Sequence, residues 1–165
     1  MSKYELAQLN IARMKAPLES PVMAEFVANL GRVNELAEKS PGYKWRLKTE
    51  EGNATALRPF GVELLVNLSV WQDLKSLRDY VFGSGHAQIM QQRRQWFERM
   101  AEAYVVFWWV PAGHRPSVEE AKERLEYLRT HGPTQRAFTF RNPYPSPDQA
   151  SNQRVDPFLD ECPAT

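Results

Sequence analysis

The stretch AYVVFWWV, residues 103–110, has no polar face at all. A strand sends successive side chains to opposite sides, so a strand apolar on both sides must be covered on both. VELLVNLSVW, residues 62–71, makes nearly the same demand, with Asn67 as a polar exception. Two such segments belong at the centre of one sheet, and whatever else the chain forms must supply the covering layers.

The remaining segments supply strands and helices in turn. ELAQLNIA, residues 5–12, alternates in part and suits a first strand carrying its own polar exception, Asn10. Ser20 is placed to cap a helix with Pro21 at its first position, and Met23, Phe26, Val27, Leu30, Val33 and Ala37 recur at helical spacing. Ser40-Pro41-Gly42 stops that helix. In YKWRLKT, residues 43–49, Tyr43, Trp45 and Leu47 alternate with Lys44, Arg46 and Lys48, the pattern of a half-exposed or edge strand.

Asp73 can cap a second helix bearing Leu74, Leu77, Tyr80 and Val81. Gly83-Ser84-Gly85 interrupts it, and a helical segment is expected from about His86 to about Met100. After the 103–110 strand, Ser117-Val118-Glu119-Glu120 has the form of a capping box. Val118, Ala121, Leu125 and Leu128 form the stripe of that helix, which His131-Gly132-Pro133 ends. AFTF, residues 137–140, reads as a short fifth strand, and from Asn142 onward Pro, Ser, Asp, Asn and Gln predict a flexible tail.

The order is β-α-β-β-α-β with an extra C-terminal helix: an α+β, ferredoxin-like antiparallel sheet in one domain over residues 1–141, then a tail over 142–165. In that arrangement helices cover one sheet face. A second copy of the chain is the simplest cover for the other, predicting a homodimer packed through its sheets; the alternative is that the C-terminal helix folds over it.

Charge narrows the partners. Twenty-one basic against twenty acidic residues leave a net charge of +1, with no basic run to hold nucleic acid or an anionic membrane surface. The single cysteine, Cys162, cannot form an internal disulfide or a cysteine zinc site. No leader-like apolar stretch opens the sequence and none reaches the ~18 residues of a membrane span, so a soluble cytoplasmic protein is expected. Three distant histidines make no case for a bound metal, and no phosphate loop, G-x-S-x-G or H-E-x-x-H motif occurs.

Helical projection of the segment after Gly85 places His86, Met90, Arg93, Phe97 and Met100 within about 40° of one direction. An arginine on such a stripe needs a carboxylate, carbonyls, water or a ligand if it is buried. His86, in the first turn, is held neutral by the helix dipole and could serve as base, donor or ligand. The plainer alternative is a histidine bonded to a neighbour and an arginine that runs its stem along the core to reach water. Asn10 and Asn67 each mark a polar network or a pocket wall. Trp71 and Tyr80 face the same interior, where packing is their ordinary role. His114 is a loop residue between Gly113 and Pro116.

The strand VELLVNLSVWQ and the S-x-H at Ser84-Gly85-His86 resemble the dimeric α/β-barrel superfamily, which includes the antibiotic-biosynthesis monooxygenases. WWVPAGHRPSVEEAKERLEYLRTHGPTQRAFTF is similar to the C-terminal signature of an uncharacterised bacterial family within it. The resemblance implies a pocket between sheet and helices for a small apolar or aromatic ligand. Asn67 four residues before Trp71 is similar to the cofactor-independent oxygenases, with no cofactor required; Arg93 would then stabilise an oxyanion and His86 manage a proton. Asn10, Tyr80 and His86 stand where haem-degrading relatives hold their site, so haem ligated by His86 is a second implication, although Tyr80 replaces the usual tryptophan. A non-catalytic protein using the same cavity is the third. Met90, Phe97 and His114 complete the expected pocket.

Overall fold

A computed structural model describes residues 2–49, 52–83 and 85–149, with backbone alone at 85–87. Four strands form one sheet: β1 (Tyr4–Arg13), β2 (Tyr43–Arg46), β3 (Leu64–Trp71) and β4 (Val105–Pro111). Their order is β2-β3-β1-β4 with every pair antiparallel. Helix α1 (Ala24–Lys39) joins β1 to β2, and α2 (Leu74–Gly83), α3 (Gly85–Gln91) and α4 (Arg93–Trp96) join β3 to β4. That strand order and connectivity are those of the ferredoxin-like fold, and α5 (Val118–His131) follows as the extra helix.

Of the two strands read as central, β3 lies inside the sheet while β4 stands at its edge, where the Phe138 bridge and the helices rather than a full strand cover its apolar residues. β1 sits between β3 and β4, with Leu6 opposite both Trp71 and Trp109, Gln8 opposite Ser69 and Phe107, and Asn10 opposite Asn67 and Val105. This register sorts the side chains. Ala7, Leu9, Ile11, Val66, Leu68, Val70, Val106, Trp108 and Val110 share one face, and α5 closes over it with Ala121, Leu125 and Leu128. Ala54, Leu57 and Phe60 of the preceding loop pack against the same cluster. Of the two covers expected for that face, the chain supplies its own.

Leu6, Trp71 and Phe107 point the other way, into a second cluster with Ala37 of α1, Leu77 and Tyr80 of α2, and Phe138. Asp73 caps α2 as expected, its carboxylate accepting from the Ser76 N–H at 2.8 Å. Ser117 caps α5 by accepting from Glu120 N–H at 3.1 Å. Gly132 ends α5 with φ +74°, a conformation a side chain would resist.

Four further expectations need correction. Ser20 makes no side-chain cap, because Pro21–Met23 first forms a 3-10 turn from which α1 continues. The helix expected from His86 to Met100 breaks at Gln92 and ends at Trp96; Phe97 is extended and pairs with Met14 beyond the end of β1. The fifth strand reduces to isolated bridges, Ala137 with Thr134 and Phe138 with Phe107 of β4, the latter bonded at 2.8 and 2.9 Å. Finally, residues 142–149 lie packed on the domain: Trp109 Nε1 donates to Tyr144 O at 2.8 Å, Ser146 is buried, and Asp148 accepts from Lys3 N at 2.9 Å. The rest of the expected tail, with Cys162, falls outside the described residues.

Candidate functional site

The helix-facing side of the sheet carries a polar line across its apolar surface. Gln8, 7% exposed, donates through Nε2 to Ser69 Oγ at 2.8 Å and to Asn67 Oδ1 at 2.5 Å. Trp71 Nε1 donates to the same Ser69 Oγ at 2.9 Å. Trp71, Ser69 and Asn67 therefore step two residues at a time along one face of β3, with Gln8 bridging from β1. Buried polar atoms need partners, and these groups supply them to one another.

Asn67 ends the line and differs from its surroundings. Every other residue of β3 is buried, yet Asn67 is exposed. Asn10, its partner across the strands, is half-buried. With Oδ1 taken by Gln8, the outward group of Asn67 is its Nδ2, which nothing engages among the described residues.

Aromatic contacts bracket this point at both ends of the helical layer. At one end Tyr80 stacks on Trp71, with ring centroids 5.0 Å apart, and its hydroxyl donates to Val33 O at 3.2 Å. Burial pushes the Tyr80 phenol well above its ordinary range, so it is neutral at physiological pH. At the other end Phe26 of α1 meets Trp96 at 5.6 Å and, edge-on, Phe97 at 5.0 Å. Between these anchors Leu30 and Val33 of α1 stay only half-buried, although both lie on its apolar stripe. Met14, the backbone partner of Phe97, is four residue steps beyond Asn10, or about 13 Å at a rise of ~3.3 Å per residue.

The expected site residues are not all together. Asn10, Asn67, Trp71 and Tyr80 share the helix-facing side, and Phe97 closes its far end. Trp71 is fully packed and spends its indole N–H on Ser69, so it forms wall rather than contact. Met90 is half-buried on α3. Arg93 opens α4 and holds its guanidinium over the Tyr104 ring at 5.1 Å, so it is neither on the helical stripe expected nor buried without a partner. His114 belongs to the opposite side: Nε2 meets Glu120 Oε2 at 2.7 Å, and Glu120 Oε1 accepts from Trp108 Nε1 at 3.0 Å. Burial raises the Glu120 carboxyl, but those two hydrogen bonds outweigh it and hold the group below its ordinary range. The His86 side chain lies outside the described residues.

Gln8 and Ser69 are the residues that sequence reasoning missed. Reading β1 and β3 in steps of two would have found them, since Gln8 precedes Asn10 and Ser69 lies between Asn67 and Trp71. A separate cavity of about 320 Å³ lies between the end of α1 and α2, lined by Ser40, Lys75, Ser76, Asp79 and Tyr80. Its polar groups are committed locally: Ser40 to Leu36 O, Ser76 to Asp73 and Lys75 to Asp79. No group of three or more His, Cys, Asp or Glu side chains able to hold a metal occurs among the described residues. Nor is any helix there long and apolar enough to cross a membrane.

Among solved structures the chain is similar to a protein of unknown function, NE2512, from Nitrosomonas europaea, at 17% identity and TM-score 0.44, over 70% of this chain and 97% of that one. It is also similar to SnoaB, a cofactor-independent oxygenase from Streptomyces nogalater, at 16% identity and TM-score 0.44, over 69% and 96%. Rv0793 from Mycobacterium tuberculosis is similar at 14% identity and TM-score 0.42, over 68% and 99%. The fold assignment rests on the chain's own strand order rather than on these likenesses. No curated protein matches. The model of one family covers residues 5–154, nearly the whole chain, and the protein belongs to that family, described as Domain of unknown function (DUF3291).

Proposed function

We propose that this protein binds a small apolar or aromatic molecule against the helix-facing side of its sheet and acts on it as a cofactor-independent, monooxygenase-like enzyme. One observation carries the reading: Asn67 is exposed in the middle of an otherwise buried strand, with its amide oxygen held by Gln8 and its Nδ2 left to an incoming group. An amide donor held in place before the ligand arrives suits a ligand oxygen, especially one that gains negative charge during reaction. Asn10 stands beside it, Phe97 and Met90 supply apolar wall, and Trp71 with Tyr80 bounds the other end. Arg93 and His114 have no part in this reading, while His86 keeps the proposed proton-transfer role.

The oxygenase component rests on the Asn67–Trp71 spacing and the resemblance it carries. In that chemistry the substrate itself supplies the electrons. A phenolic ring carbon gains one atom of O2, the other atom leaves as water, and the ring is oxidised to a quinone. Oxygen uptake with a panel of phenols and quinols tests this directly. Wild-type protein should consume oxygen with at least one member, and Asn67→Ala should lower kcat about 10²-fold, as expected for loss of one oxyanion donor. Binding without uptake across the whole panel would reduce the protein to a ligand carrier.

A further inference from the structure

We infer that Gln8 is a positioning residue that fixes the polarity of the site, so that the sheet offers its ligand a hydrogen-bond donor. This rests on the reading of Asn67 as the ligand's polar anchor. A carboxamide has an accepting end and a donating end of nearly the same shape, and a free asparagine can present either. Asn67 is not free. Gln8 Nε2 uses its two hydrogens on two acceptors, Ser69 Oγ at 2.8 Å and Asn67 Oδ1 at 2.5 Å. Rotating the Asn67 amide would set its own N–H2 against that of Gln8 and break the shorter bond.

Gln8 in turn cannot turn over independently. Its side chain is buried, and turned over alone it would set its Oε1 against Asn67 Oδ1; Ser69 Oγ, which also accepts the donor-only indole N–H of Trp71 at 2.9 Å, completes the line. The order Trp71, Ser69, Gln8, Asn67 is therefore a chain of oriented groups that runs from packed aromatic core to exposed amide. At its open end it leaves Nδ2 outward. A ligand matched to that end carries a carbonyl or phenolate oxygen; one presenting only an N–H or ammonium would leave two donors facing each other. The groups of the line itself are uncharged, so the preference they impose is one of hydrogen-bond direction.

Three flat molecules of one skeleton separate the possibilities: fluorenone, which only accepts, carbazole, which only donates, and fluorene, which does neither. Affinities are read by tryptophan fluorescence on the full chain, with thermal unfolding confirming that each variant is folded. Wild type should favour fluorenone over carbazole on the order of tenfold, the worth of one satisfied hydrogen bond. Gln8→Glu, which can only accept when ionised, should turn the Asn67 amide over and shift the preference towards carbazole. Gln8→Met should bind fluorene as before and lose most of the discrimination, because the amide then rotates freely. A fluorenone preference unchanged in both Gln8 variants but abolished in Asn67→Leu would overturn the role of Gln8 while leaving the anchor intact. An Asn67→Leu variant that discriminates like wild type would overturn the anchor itself.

A ligand-free measurement stands beside these. In the side-chain amide region of a 15N spectrum, the Gln8 Nε2 protons should exchange slowly and the Asn67 Nδ2 protons quickly, and Gln8→Glu should slow the latter. The reverse order in wild type would sink the proposal even if none of the three molecules binds.

Discussion

The two faces of the sheet come from the same three strands, β3, β1 and β4, yet they are built to opposite specifications. Towards α5 the surface is Ala7, Leu9, Ile11, Val66, Leu68, Val70, Val106 and Val110, with Trp108 sending its one polar atom to Glu120 at the rim. Towards α1 and α2 the same strands present Gln8, Asn10, Asn67 and Ser69 between aromatic ends. Interdigitated apolar packing explains the first face apart from Glu5 at its end, whose carboxylate accepts from the Gly113 N–H at 2.6 Å. The second retains polar groups that apolar residues could have replaced, and it leaves one of them in the open. A stability requirement accounts for one face and not for the other.

That contrast can be broken from either side. The largest loss should come from Leu125→Ala, which removes a fully buried side chain from the closed face; about 2–5 kcal/mol is expected in urea unfolding. Ser69→Ala is the counterpart on the polar face. It strands Trp71 Nε1 and one hydrogen of Gln8, costing ~1–3 kcal/mol despite removing a single oxygen. A cost as small as that of an exposed serine would mean that the polar line is not held together as described.

Glu120 sharpens the comparison at the rim of the closed face. Its folded-state carboxyl titrates below its ordinary range, so its contribution is complete above the unfolded value and is lost as pH falls through the folded one. Melting temperature should therefore decline on acidification in wild type, and less steeply in Glu120→Gln, which keeps a carbonyl acceptor for Trp108. Equal slopes would remove Glu120 from the account.

The smallest effect on stability should come from Asn67→Val. The position is exposed and a β-branched residue suits a strand, so the cost is that of one unpaired Gln8 hydrogen, about 1 kcal/mol, while ligand binding is lost. If this substitution destabilises the protein as much as Ser69→Ala does, Asn67 is structural and the site reading fails.

How much of this was legible beforehand follows from the kind of signal involved. β1 announces itself through partial alternation, β3 and β4 through nearly unbroken apolar runs, and α5 through its 3.6-residue period and the Ser117 cap, which depends only on its near neighbours. The segment after Gly85 misleads because its apolar period continues past the point where the helix stops. Phe97 leaves the helix to pair its backbone with Met14, eighty-three residues earlier, and no local preference records that pairing. The tail misleads in the opposite sense: its composition is that of a solvated segment, yet Trp109 and Lys3 bind Tyr144 and Asp148.

By itself the sequence determined that two strands needed cover on both sides, that helices and strands alternated in ferredoxin-like order, and that Asn10 and Asn67 were polar residues in a sheet centre. These follow from periodicity and burial, which are local. Only the tertiary structure decided that α5 covers the second face, that Arg93 rests on Tyr104 and His114 on Glu120, and that Gln8 joins Ser69 and Asn67. Each of those depends on strand register, which brings residues some sixty positions apart within hydrogen-bond distance and which a one-residue slip would undo.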